Sequence, residues 1–145
     1  MPSQIARLNG TQQLLMLVAA VLAMLFLAQL GSSPTYQVRS VSAPEAKQLI
    51  DSGAIVVDVR GPESYAGRHI PGAISVPLDR LRDAIPAALA HAIARPIVVY
   101  CGDGVRIGPE GTDLLNKAGF RQAVNLDHGI QGWTDAGYSV VKPGA

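Results

Sequence analysis

The 145-residue chain has one cysteine, and its neighbours make it the first place to look for chemistry. It opens the run Cys101-Gly102-Asp103-Gly104-Val105-Arg106-Ile107-Gly108. Two glycines let the backbone curl so that successive N–H groups point inward, and a helix starting just beyond adds the positive end of its dipole. Together these make a seat for an anion. Arg106 contributes a permanent charge with a fork of donors. A thiol held in such a seat is favoured as the nucleophilic thiolate, and a persulfide is an anion with the same needs. Cys101 and Arg106 are therefore the expected catalytic pair, and Gly102, Asp103, Gly104, Val105 and Arg106 the expected substrate-binding groups. Asp103 would oppose the trend if it faced inward, so it is expected to point to solvent. The competing reading is a small buried structural cysteine. The Gly-x-Gly-x-Arg run and the helix after it argue against that.

Other chemistries fare worse. A single cysteine excludes an internal disulfide and any multi-cysteine zinc site. His69, His91 and His128 have no ligand spacing, so neither a metal nor a cofactor is expected. With a net charge of +1 and its basic residues scattered, the chain is not expected to bind nucleic acid. Without a second cysteine, sulfur on Cys101 must leave for an external acceptor such as a thiol. Asp58 and Arg60 are expected either to support the active loop or to pair with each other, because buried charges need partners. His69, in a Gly- and Pro-rich turn, is expected to be structural. Trp133 reads as core, and the charges of Asp79 to Asp83 as a solvated helix face.

The elements that must position the cysteine alternate between strand and helix. Ser42-Ala43-Pro44-Glu45 is a capping box opening a helix that ends near Gly53. Buried strands are expected at 54–59 and 96–100, and further strands at 73–77 and 123–126. Helical patterns fall at 62–66, 78–89 (broken or kinked by Pro86), 109–118 and 129–136, with 138–141 a last strand or tail. Such alternation implies an α/β fold with a mostly parallel sheet and helices on both faces. Ligands of these sheets bind beyond the carboxyl ends of the strands, where Cys101 follows Tyr100.

The N-terminal region is a separate unit. No charged residue occurs from Leu8 to Val38, and Leu14 to Ala28 is unbroken apolar sequence. Residues 11–31 are long enough to cross a hydrocarbon core of about 20 residues. They lie between a short flank, 1–10, and a polar linker, 32–40, ahead of a domain at 41–142. A membrane anchor is expected, with a cleaved signal peptide as the alternative. Arg7 before the run, against Arg39 and Lys47 after it, slightly favours a domain on the extracytoplasmic, periplasmic side.

Several stretches in order resemble the single-domain rhodaneses. Asp58-Val59-Arg60 is similar to that family's D-x-R, with Glu63 and Tyr65 following. Gly67-Arg68-His69-Ile70-Pro71-Gly72-Ala73 resembles its G-x-H-I-x-G-A signature. Tyr100-Cys101, Gly104 and Arg106 match its active loop, and Leu114, Ala118-Gly119-Phe120, Leu126, Gly129 and Trp133 continue the pattern. The resemblance implies an α/β sandwich with a five-stranded parallel sheet. It also implies sulfurtransferase chemistry through a cysteine persulfide, taking sulfur from thiosulfate or a persulfide donor and passing it to a thiol or cyanide. Related phosphatases resemble C-x5-R; here four residues separate Cys101 from Arg106, which narrows the cradle and disfavours phosphate. Ile107 stands where the family usually has Ser or Thr, Glu110 and Gly111 replace small alanines, and His128 replaces a glycine. Together these departures set thiosulfate apart as an unsettled donor. The change at Ile107 also keeps a second function open, a catalytically weak module that binds a partner at the membrane.

Overall fold

The computed structural model describes residues 9–31 and 34–144; most of the flank expected at 1–10, with Arg7, and linker residues 32 and 33 lie outside them. Contacts divide the chain into two units, one reaching to Thr35 and one beginning at Tyr36.

The first unit is helix α1, Gly10–Leu30. Asn9 caps it, accepting from the Gln12 N–H while the Gln12 side chain accepts from the Asn9 N–H. Large apolar side chains face outward along its length, among them Leu14, Leu22 and Phe26. No polar stripe interrupts them, so the helix is long and apolar enough to cross a membrane.

The second unit is built on five strands: β1 (Ser40–Val41), β2 (Ile55–Asp58), β3 (Ile74–Ser75), β4 (Ile97–Tyr100) and β5 (Ala123–Leu126). They form one parallel sheet in the order β1-β5-β4-β2-β3. The helices that follow the strands in turn are α2 (Ala43–Asp51), α3 (Pro62–Gly67), α4 (Leu78–Asp83), α5 (Ile107–Lys117) and α6 (Gly129–Asp135). Side chains alternate across the strands and build two cores. Val57, Ile97, Val99 and Cys101 join Leu81 of α4 and Leu115 of α5 on one face. Val56, Val98, Tyr100 and Val124 join Ala46 of α2 and Trp133 of α6 on the other.

Five details go beyond or depart from the sequence reading. Ser40, placed in the linker, is a sheet residue that pairs with Asn125, and two residues of strand carry too little pattern to be seen. Pro86 does end the helical pattern, but α4 has already stopped at Asp83 and a 3-10 turn follows at Ala87–Leu89. Helix α5 begins at Ile107 and not at Pro109, because a proline in the first turn loses only an N–H that has no helical partner. The tail at 138–141 supplies a single antiparallel bridge, Val141 to His69. At the start of α2, Ser42 accepts from the Glu45 N–H, but the Glu45 carboxylate pairs with Arg39 and leaves the capping box half made.

After β2 the chain moves outward to β3, then returns to lay β4 on the other side of β2. That reversal opens a crevice at the carboxyl ends of β2 and β4. Arg60 follows the first strand and Cys101 the second.

Candidate active site

Strand β4 is buried throughout and delivers Cys101 at 1% exposure. The next turn is clamped from behind. The Ile130 and Gln131 N–H groups at the start of α6 donate to the Cys101 and Gly102 carbonyls at 2.9 and 3.2 Å. With those carbonyls turned to α6, the loop turns the Gly104 N–H to the thiol, where it donates to Sγ at 3.1 Å. Gly104 has a φ of +77°, and a Cβ there would stand 2.6 Å from the His128 nitrogen, so only glycine fits. Gly129, also left-handed, would drive a Cβ into the Cys101 carbonyl oxygen.

Asn125 of β5 holds the loop from the side. It is buried, and its Nδ2 donates to the Gly104 carbonyl and to Ser40 Oγ, both at 3.1 Å. Its Oδ1 has no partner. A Cβ on Gly108 would come within 2.5 Å of that oxygen and 3.1 Å of Cys101 Sγ. Gly108 is therefore the gap through which thiol, amide and helix approach one another. Helix α5 starts at Ile107 with no side-chain cap on its first amides, which leaves its positive end open towards an anion.

Arg106 is exposed and lines an open cavity of about 580 Å³ together with Arg60, Ser64, Cys101, Asp103 and Ile107. Arg60 is not free to act alone. Its guanidinium forks onto fully buried Asp58, with Nε to Oδ1 at 2.9 Å and an Nη to Oδ2 at 2.6 Å, and donates again to the Arg68 carbonyl. It also sits 5.5 Å from the Tyr100 ring centre. Burial works against charge on Arg60, but the Asp58 hydrogen bond and charge outweigh it and leave its pKa raised. Burial first, and then Asp58, push the Tyr100 hydroxyl above its ordinary range, so it stays protonated and accepts from the Ile70 N–H.

The structure thus places Cys101, Gly102, Asp103, Arg106 and Arg60 around one cavity, with Asp58 behind Arg60. Gly104 points its amide at the sulfur, and Val105 projects outward at 70% exposure. His69 is not brought to the cysteine. Its Nδ1 lies 2.9 Å from the Tyr65 carbonyl and its ring stacks on Tyr65 at 4.0 Å. It steadies the segment that carries Ile70 to Tyr100.

Asp103 corrects the sequence reading. It is exposed, yet its Oδ1 lies 3.6 Å from Cys101 Sγ and accepts the Val105 N–H at 3.0 Å. An aspartate readily bonds the amide two residues on, and that turn draws the carboxylate back over the loop. The Val105 N–H holds its pKa below the usual carboxylate range against an opposing desolvation effect, aided by the thiol and the Arg106 charge.

Residues 42–136 match the family model of the rhodanese-like domain. The chain belongs to the rhodanese-like family. A thiosulfate sulfurtransferase, GlpE, of Pseudomonas paraeruginosa is 35% identical over 101 residues, 70% of this chain and 86% of that one. YibN of Escherichia coli, an uncharacterized protein, is 27% identical over 140 residues and is covered to 97%. The uncharacterized protein slr1261 of Synechocystis is 35% identical, but the match spans only 55% of its length. Among solved structures, the human single-domain sulfurtransferase TSTD1 superposes with a TM-score of 0.56 at 32% identity, covering 66% of this chain and 95% of that one. The rhodanese-like domain thus has thiosulfate sulfurtransferases among its relatives.

Sequence reasoning missed Asn125, Gly108 and the α6 amides of Ile130 and Gln131. Asn125 left a signal, a lone amide in the apolar strand Ala123-Val124-Asn125-Leu126. The other contributions are backbone or absence of side chain, which residue type does not announce.

Proposed function

We propose that this rhodanese-like domain is a sulfurtransferase in which Cys101 carries the sulfur. The thiolate attacks the outer sulfur of thiosulfate or a persulfide, forming a persulfide on Cys101 and releasing sulfite or a thiolate. An external thiol or cyanide then removes that sulfur. The observation that carries the reading is the Gly104 N–H aimed at Sγ beside the uncapped start of α5. Those donors stabilise negative charge on sulfur before and after transfer. Arg106 lines the same cavity and would receive the donor's anionic group. Asp58 and Arg60 support the loop from the neighbouring strand. His69 supports it at one remove, through Ile70 and Tyr100.

Helix α1 is proposed to tether the domain, at 41–142, to a membrane, with the domain on the extracytoplasmic side, the side that the flanking charges favour only slightly. Incubating the full chain with thiosulfate and measuring its intact mass tests the chemistry. A gain of one sulfur atom, absent in Cys101→Ser, is expected. No gain with thiosulfate or with an organic persulfide would leave a partner-binding module at the membrane as the better reading, the alternative that Ile107 in place of a hydroxyl residue keeps open. A reporter fused after Ala145 tests the side of the membrane.

A further inference from the structure

The donor's charge is set by what already occupies the cradle. An active loop that binds a dianion needs donors free and positive charge in excess. Here the Val105 N–H is taken by the Asp103 carboxylate, and the same oxygen lies 3.6 Å from the attacking sulfur. The positive charge of Arg60 is balanced by Asp58, and Arg106 stands alone against Asp103. The side groove next to Asp103 adds another carboxylate, Asp135, against only His128. Before any donor arrives, the fixed charges around the cavity therefore sum to zero, and Asp135 of the side groove makes the total negative. Thiolate and thiosulfate together would bring three negative charges. The cavity is also larger than thiosulfate requires, at about 580 Å³, and its lining includes the half-buried apolar side chain of Ile107.

Resting on the sulfurtransferase reading above, we infer that Asp103 is a charge filter that selects monoanionic organic sulfur donors, thiosulfonates and organic persulfides, over dianionic thiosulfate. For a thiosulfonate R–SO2–S⁻ the step balances. The Cys101 thiolate forms a bond to the outer sulfur, the bond between the two sulfurs breaks, and its electron pair leaves on the sulfinate R–SO2⁻. Two negative charges enter and two remain. The organic group lies against Ile107, while the sulfonyl oxygens meet Arg106.

The magnitude follows from distance. A unit charge about 5 Å from an exposed carboxylate is disfavoured about fourfold in the water-like limit, and a dianion by the square of that factor. The test uses the full chain in non-ionic detergent, with thiosulfate and benzenethiosulfonate as donors. Sulfur loading of Cys101 is timed by intact mass in single-turnover reactions. Asparagine keeps the oxygen that accepts the Val105 N–H and removes only the charge. Asp103→Asn is expected to speed loading from benzenethiosulfonate about fourfold and from thiosulfate about fifteenfold, so the wild-type preference for the monoanion narrows. Asp103→Glu, which restores the charge, is expected to keep the wild-type preference. Equal gains for both donors in Asp103→Asn, or the same selectivity in the Asn and Glu variants, would overturn the filter while leaving sulfur transfer intact. If neither donor loads Cys101 in any variant, the sulfurtransferase reading falls, and the filter with it.

Discussion

Gly108→Ala is the sharpest probe of how the site is assembled. In an ordinary helix the change would stabilise, because alanine exceeds glycine by up to about 1 kcal/mol in helix propensity. Here the new methyl would stand 2.5 Å from Asn125 Oδ1 and 3.1 Å from Cys101 Sγ. Asn125 cannot give way freely, since it is buried and its amide holds both Gly104 and Ser40. Relieving the overlap costs about 1–3 kcal/mol as overpacking. Loss of the bond to the Gly104 carbonyl adds about 1 kcal/mol. Less the helix gain, the net loss is about 1–3 kcal/mol, or roughly 4–12 °C in melting temperature for a domain of this size. Trp133 is the chain's single tryptophan and is buried in the domain core, so its fluorescence reports unfolding of this unit alone. The same substitution in an Asn125→Ala background should cost at least about 1 kcal/mol less, because the nearest obstacle is gone. A Gly108→Ala variant as stable as the parent, or a cycle with no coupling between the two positions, would refute the claim that Gly108 is kept small for Asn125.

Three further outcomes follow from the same geometry. Arg60→Leu leaves Asp58 buried without its partner and should cost about 3–5 kcal/mol in denaturant unfolding, whereas an exposed pair would cost under about 1 kcal/mol. Arg106→Ala should lower kcat/KM for thiosulfate by at least about tenfold with little change in melting temperature, as expected for an exposed arginine that meets the donor; an unchanged rate would place it outside the reaction. Ile107→Ser restores a hydroxyl at the uncapped start of α5 and should raise thiosulfate turnover several-fold, the worth of one hydrogen bond of about 0.5–1.5 kcal/mol. Because Ile107 packs on the α4–α5 core, some stability should be lost alongside; unchanged stability with no gain in rate would show that Ile107 does not limit transfer.

Much of the protein is legible from residue order. Short β-branched runs, glycine stops and proline positions mark β2, β4 and most helices, because each is a local consequence of side-chain shape and backbone freedom. The charge-free N-terminal run marks α1 in the same way. The loop from Cys101 to Arg106 is also legible, because cysteine, glycines and arginine are contiguous and their chemistry needs no distant partner to be recognised. What depends on contacts across the sequence was decided only by the fold. Strand β1 exists because Ser40 and Val41 find Asn125 and Leu126, more than eighty residues away. The α6 amides that clamp Cys101 and Gly102, and the Asn125 amide that holds Gly104, arrive from another strand and helix. The direction of Asp103 was misjudged for a different reason. Its type said that it carries charge, but a local hydrogen bond from the Val105 N–H, two residues on, set where that charge lies.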